Sequence, residues 1–138
     1  PYYEWLESNE FSAPVLISTI GAEAAYCNGE EWLDQMLEYV QSNIEFVVDY
    51  LAANIPELRV VRPQASFLLW LDFRGLGMCQ KEIMNLLLDK AHLALNDGTM
   101  FGSQGAGFAR LNVGTPRCVL HKALDSLKTA IKGCEDEA

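Results

Sequence analysis

The hydrophobic period of this chain changes at Asn54-Ile55-Pro56, and that change limits the fold more than any other feature. Upstream of it, Leu33, Met36 or Leu37, Val40, Ile44, Val47 and Leu51 follow i, i+3/i+4, i+7 spacing. The residues from Glu30 to Ala53 are therefore predicted as one long helix, with acids in the first turn, where the helix dipole favours them. Trp32, Tyr39, Phe46 and Tyr50 form a second stripe, read as core or interface. Pro56 ends the helix. Downstream, Leu58-Arg-Val-Val-Arg62 and Ser66-Phe-Leu-Leu-Trp-Leu-Asp72 read as strands joined by Pro63-Gln64-Ala65, a connection short enough to favour antiparallel pairing. The second strand is apolar at both alternations and is expected to be covered on both faces.

The flanks complete the order. Tyr2 to Glu7 is a short piece ended near Ser8-Asn9. A helix is predicted from Ala13 or Pro14 to Tyr26, with Pro14 in its first turn, where the missing N–H costs nothing. Only Glu23 is charged in it, so another domain or subunit is expected to cover it. Asn28-Gly29 breaks the chain. After a loop at Gly75 and Gly77, a helix is predicted over Lys81 to Ala91, a third strand over Leu93 to Asn96, and a fourth over Phe108 to Val113. Thr115 as N-cap and Pro116 at the first helical position start a last helix, which Gly133 can close. Glu135 to Ala138 reads as a solvated tail. The result is an α+β two-layer domain: a small, mostly antiparallel sheet with helices packed on one face, preceded by N-terminal helices.

Bulk properties narrow the function. At 138 residues the chain is one domain with a helical arm. A net charge of −9 argues against nucleic acid and anionic membranes as partners. Cys27, Cys79, Cys118 and Cys134, with His92 and His121, make no zinc spacing, so no metal is expected. The cysteines are read as free thiols in a reducing cytoplasm. No run is long and apolar enough to span a bilayer, and no signal peptide is read. The chain opens on Pro1, and the expectation is a piece of something longer.

One residue on the fourth strand stands out. Ala109, Leu111 and Val113 alternate with Phe108, Arg110 and Asn112. The first set is expected to face the helices, which leaves Arg110 and Asn112 together on the other side. A guanidinium on a strand either grips a carboxylate or phosphate with a two-pronged bond or pairs structurally with an acid such as Asp72. Spacing alone leaves both open. Asn96-Asp97-Gly98 and Gly102 to Gly107 are turn chemistry, with glycines supplying positive φ or room for close approach. Gly102 to Gly107 is not a phosphate loop, for it lacks the Lys-Ser/Thr ending. Arg117 opposes the dipole of the last helix and calls for an acidic partner or a ligand, structural pairing being the favoured use. His92 and His121 read as surface or satisfied histidines. No serine or cysteine has a base at a recognisable spacing.

Several motifs together carry a family likeness: Asn9-Glu-Phe-Ser-Ala-Pro14, Glu23-Ala-Ala-Tyr26 with Gly29-Glu-Glu-Trp-Leu33, Trp70-Leu-Asp-Phe-Arg74, Leu95-Asn-Asp-Gly-Thr99 with Phe101-Gly102, and Gly107-Phe-Ala-Arg-Leu-Asn-Val113 with Pro116-Arg117. Over nearly its whole length the chain resembles the C-terminal part of fold-type-I enzymes that use pyridoxal 5′-phosphate (PLP), above all the MalY/PatB-type cystathionine β-lyases of the class I/II aminotransferase family. The resemblance implies that Arg110 clamps the α-carboxylate of an amino-acid substrate. It departs from the family at Thr115, where a cysteine is frequent, and at Ala65-Ser66-Phe67, where Gly-Thr-Tyr is frequent. The family's PLP lysine lies upstream of the matched region, and none of Lys81, Lys90, Lys122, Lys128 and Lys132 lies in that lysine motif.

The resemblance therefore implies residues 1–28 as a helical connection from a large PLP-binding domain and 29–138 as the small domain. The intact parent would be a cytoplasmic, homodimeric, PLP-dependent C–S β-lyase acting on sulfur amino acids. No cofactor is expected on this piece, which alone is expected to be inactive. Two alternatives stay open: the same domain of an aminotransferase, and a stand-alone, non-catalytic binding module.

Overall fold

A computed structural model describes Glu4 and residues 15–135. Apart from Glu4, the predicted piece at Tyr2–Glu7 lies outside the described residues, as do the Pro14 helix start, the Asn9–Pro14 motif and the last three residues of the tail. The chain divides into two compact units, with the boundary in sequence between Glu38 and Tyr39.

In the first unit, helix α1 spans Leu16–Asn28, and α2 (Glu30–Asn54) begins. The predicted end at Tyr26 falls short. Asn28 donates from Nδ2 to Ala24 O (3.2 Å) and the Gly29 N–H donates to Ala25 O (2.8 Å), which carries the ladder to the glycine. No residue of α1 is buried; Leu16 and Ile17 are 75% and 74% exposed.

The second unit holds the core. Of the predicted α2 stripe, Val40, Ile44, Val47 and Leu51 are buried, whereas Leu33 and Leu37, in the first unit, are exposed. Four strands follow: β1 (Arg59–Val61), β2 (Leu68–Asp72), β3 (Asn96–Asp97) and β4 (Phe108–Asn112). They form one sheet in the order β1-β2-β4-β3, antiparallel throughout. Helix α3 (Gln80–Asn85) runs on as a wide turn over Leu86–Lys90, and α4 spans Arg117–Glu135. Leu71 and Leu111 from the sheet meet Leu120, Leu124 and Leu127 of α4 in the core. Among the described residues the fold is thus four helices and a four-stranded antiparallel sheet, the α+β class expected.

Local details differ from the sequence reading for identifiable reasons. The third strand is Asn96–Asp97, not Leu93–Asn96. His92 takes φ 56°, and the Leu93 N–H donates back to Leu87 O (2.7 Å), so Leu93 is tied to the helix end instead of the ladder. Strand β2 is covered on one face, at Leu69 and Leu71; on the other, Leu68 and Trp70 are half-buried and Asp72, held by Arg74, is buried. Pro116, not Thr115, precedes α4, and its carbonyl accepts from Val119 N (2.9 Å). Gly133 does not close α4, which continues to Glu135.

Candidate functional site

Alternation on β4 is as expected. Ala109, Leu111 and Val113 are buried against the helices, and Phe108 and Arg110 are half-buried on the opposite, open face. The ladder register then sets Arg110's neighbours. Arg110 lies opposite Trp70 on β2 and Asn96 on β3, and Trp70 lies opposite Val61 on β1. Directly opposed residues share a face. One row therefore crosses all four strands: Val61, Trp70, Arg110, Asn96.

Arg110 is held but not satisfied. Its Nη2 donates to Asn96 Oδ1 at 3.0 Å, and its guanidinium carbon stands 4.5 Å from the Phe101 ring centroid. Its Nε is buried and has no hydrogen-bond partner among the described residues. An N–H left so costs about 1–3 kcal/mol, more on a charged group. Asp72, the structural partner considered from sequence, is engaged elsewhere. Arg74 donates to it from Nε (2.8 Å), Nη2 (2.8 Å) and its backbone N–H (3.1 Å). That fork holds the Asp72 carboxyl below the usual carboxylate range.

The loop between β3 and β4 brings Phe101 to Arg110. Asp97 begins it: Oδ1 accepts from Thr99 N (2.8 Å), Thr99 Oγ1 (2.7 Å) and Gln80 Nε2 (2.8 Å). The Thr99 bonds, chiefly, hold the Asp97 carboxyl low. The two short turns, Gly98–Phe101 and Ser103–Gly105, cross backbone to backbone. A Cβ on Gly105 would stand 2.0 Å from Gly98 O, so only glycine fits there. Gly107, at φ +85°, turns the chain into β4. A Cβ there would meet Arg74 Cγ at 2.5 Å.

The other candidates are structural. Asn112 Oδ1 accepts from Gly114 N at 2.8 Å and shapes the turn after β4. Arg117 does not take the acidic partner expected of it. Its described partners are neutral: Nε donates to Asn43 Oδ1 (2.7 Å), Nη2 donates to Ser42 Oγ (2.8 Å), and the guanidinium lies 4.7 Å from the Phe46 ring. The Arg117 backbone N–H donates to the Tyr39 hydroxyl at 2.9 Å. His121 is exposed, stacked on Phe46, and 2.8 Å from Asp125 Oδ2. The four cysteines are free, and no metal-binding cluster occurs among the described residues. No described helix is long and apolar enough to cross a membrane.

Two residues went unread in the sequence. Asn43 is fully buried and donates from Nδ2 to Val113 O and Thr115 O, both at 2.9 Å. Its signal was a polar residue on the face of Val40, Ile44 and Val47. Gln80 links α3 to the loop, accepting from Gly107 N at 2.6 Å. Nothing in its sequence position marked it.

No family model matches the chain. It is similar to cystathionine β-lyase PatB of Bacillus subtilis, 32% identical over 126 residues, covering 91% of this chain and 33% of PatB. It is 35% identical to protein MalY of Escherichia coli over 121 residues, 88% of this chain and 31% of MalY. Among solved structures it is similar to cystalysin of Treponema denticola, which contains a pyridoxal 5′-phosphate cofactor. That match has a TM-score of 0.86 and 28% identity over 93% of this chain and 33% of cystalysin. The chain thus spans about a third of the length of the proteins it matches.

Proposed function

We propose that this chain, which belongs to the family of PLP-dependent cystathionine β-lyases and aminotransferases, serves in the whole protein as the grip on the substrate's α-carboxylate. The observation that carries the reading is Arg110: a guanidinium on the open sheet face, seated on Phe101, with one neutral amide and an unpartnered Nε. A carboxylate is the group that best completes such a fork. Asp72, the strand carboxylate on Arg110's sheet face, is withheld by Arg74.

The residues present fit the substrate of a PLP enzyme and leave the cofactor's anchoring to other parts. Lys81 lies in α3, Lys90 ends its wide turn, and Lys122, Lys128 and Lys132 lie on α4. None is on the strands or on the loop around Arg110. PLP bound in the whole protein would act as an electron sink for the substrate's Cα. Arg110 would fix the carboxylate and so the direction in which the Cα–H bond points. A carboxylate held at one end would leave the Cβ–S bond free to break, the sulfur departing as thiolate and the β-carbon staying with the substrate. We read the parent as a cytoplasmic, homodimeric C–S β-lyase on sulfur amino acids, with residues 1–28 as the connection to a large domain and 29–138 as the small domain. PatB, a cystathionine β-lyase by name, supports lyase over aminotransferase.

Steady-state kinetics of the full-length protein test this. Arg110→Ala is expected to lower kcat/KM by about 30- to 5,000-fold, equivalent to the roughly 2–5 kcal/mol for truncating one side of a desolvated charge pair. An unchanged kcat/KM refutes the grip. Release of pyruvate and ammonia from a sulfur amino acid marks the lyase, and a 2-oxo acid formed without ammonia marks the aminotransferase.

A further inference from the structure

The open face carries a second feature beside the arginine. Val61, Trp70, Phe101, Gln104, Gly105 and Phe108 line a hollow of about 310 Å³. Three of these six are aromatic. Phe101 meets Trp70 edge-on at 5.4 Å between centroids, and Phe108 meets it edge-on at 6.2 Å. The Phe101 ring that closes this hollow is the same ring that supports the Arg110 guanidinium.

Register places hollow and cation in line. Opposed residues on neighbouring strands stand about 5 Å apart. Trp70 is thus one strand from Arg110, and Val61 is two. On Arg110's other side stands Asn96, a polar amide. Along this row the surface passes from amide to cation to indole to isopropyl. Along this row, a molecule anchored by a carboxylate on Arg110 finds apolar surface toward β1 and a polar amide toward β3.

We propose that this hollow receives the apolar side chain, thioether or aryl, of the amino acid whose carboxylate Arg110 holds, with Trp70 and Phe101 setting specificity. The proposal rests on the reading of Arg110 given above. Its occupant must carry an anionic group about one strand spacing from an apolar body, as an α-amino acid with a long apolar side chain does. The volume, at the lower end for small-molecule sites, suits a side chain rather than a packed helix.

The test is calorimetric binding of acetate, butyrate and 3-phenylpropionate to the full-length protein at fixed ionic strength. Affinity is expected to rise about fourfold per methylene, from the usual transfer value for a buried CH₂. Trp70→Ala should flatten the series to less than twofold per methylene, with acetate as each variant's baseline. Phe101→Leu, at a half-exposed site, tests the same wall if Trp70→Ala does not fold. A series as steep in both variants as in the parent protein overturns the hollow and leaves the grip standing. Arg110→Met binding every member as tightly as the parent protein overturns the grip and the hollow's link to it. A flat parental series, with Trp70 already shielded from acrylamide quenching in the ligand-free protein, shows that another segment fills the hollow and overturns the proposal.

Discussion

Asn43 is the most exacting place to perturb this fold. It is fully buried, and one amide serves three groups: Nδ2 donates to Val113 O and Thr115 O, and Oδ1 accepts from Arg117 Nε. Asn43→Ala strands all three. Val113 is fully buried, so its carbonyl bears the full penalty of about 1–3 kcal/mol. Thr115 and Arg117 are half-buried and recover part of their bonding from water, at about 1 kcal/mol each. The expected loss is about 3–5 kcal/mol, read from urea midpoints of the full-length protein by linear extrapolation. Asn43→Leu restores volume but no donor, so it should lose nearly as much. Asn43→Asp separates the two functions of the amide. The carboxylate still accepts from Arg117 but sets an anionic oxygen against two carbonyl oxygens. It should therefore be no better than alanine at pH 7 and should recover as the pH falls and the carboxyl gains a proton. A loss below about 1 kcal/mol for Asn43→Ala, or an aspartate variant as stable as the parent at pH 7, would refute the three-bond account.

The remaining predictions concern single groups. Asp72, held low first by its bond from Arg74, contributes stability that is present above the ordinary carboxylate pKa of about 4 and is lost as pH falls through its lower folded value. Urea midpoints at pH 6 and pH 3 should converge in Arg74→Met relative to the parent, and an unaltered difference refutes the pairing. Tyr50 is pushed up to about 12 by desolvation, then by its bond to and the charge of Asp125. The stability it contributes is present below the ordinary tyrosine pKa of about 10 and is lost as pH rises through about 12. In an ultraviolet tyrosinate titration against Tyr50→Phe, Asp125→Asn should move this one transition down toward 10, and no movement removes Asp125 as a cause. Gly107→Ala should destabilise by about 1–2 kcal/mol through its positive φ alone. It should further displace Arg74, visible as a shift of the Arg74 Nε resonance, and a full-strength variant with that resonance unmoved contradicts the close approach.

The fold was legible wherever one period dominated a segment. Four of the predicted α2 positions form its core face, and the two-residue alternation of β4 assigned Arg110 to the open side correctly. Where two signals competed, pattern failed. Leu93 and Leu95 alternate like a strand and do line the core, yet Leu93 spends its N–H on Leu87 O. Apolar alternation records which side chains are buried, and a ladder needs free backbone donors as well. Trp70 was expected to be covered because β2 is apolar on both sides, but on its face the described residues bury Asp72 and leave Leu68 and Trp70 half-buried. The row from Val61 to Asn96 could not be read at all. It depends on register across three strand pairs, and the loop before β4 sets one of those registers through backbone crossings that leave no side-chain signature.

Three arginines show why Arg110 is singled out. Each lies near an aromatic ring: Arg74 at 4.7 Å from Phe108, Arg117 at 4.7 Å from Phe46, Arg110 at 4.5 Å from Phe101. Ring contact therefore does not distinguish them; the donors do. Arg74 has a carboxylate on two of its nitrogens, and Arg117 has an amide and a hydroxyl on two of its own. Arg110 has one amide, and its Nε is buried without a partner. Asp72 and Arg110 belong to adjacent, opposed strands and the same sheet face, since Trp70 opposes Arg110 and Asp72 follows Trp70 by two. The register nevertheless sets Asp72 opposite Phe108, and Arg74 reaches back two residues to take it. The Asp72–Arg74 pair thus does two things at once. It ties off the turn after β2, and it removes the strand carboxylate that shares Arg110's sheet face among the described residues; Asp97 on β3 opposes Ala109, on the other face. On the reading of Arg110 proposed above, a guanidinium fixed in place with no anion bound to it among the described residues would take one from outside.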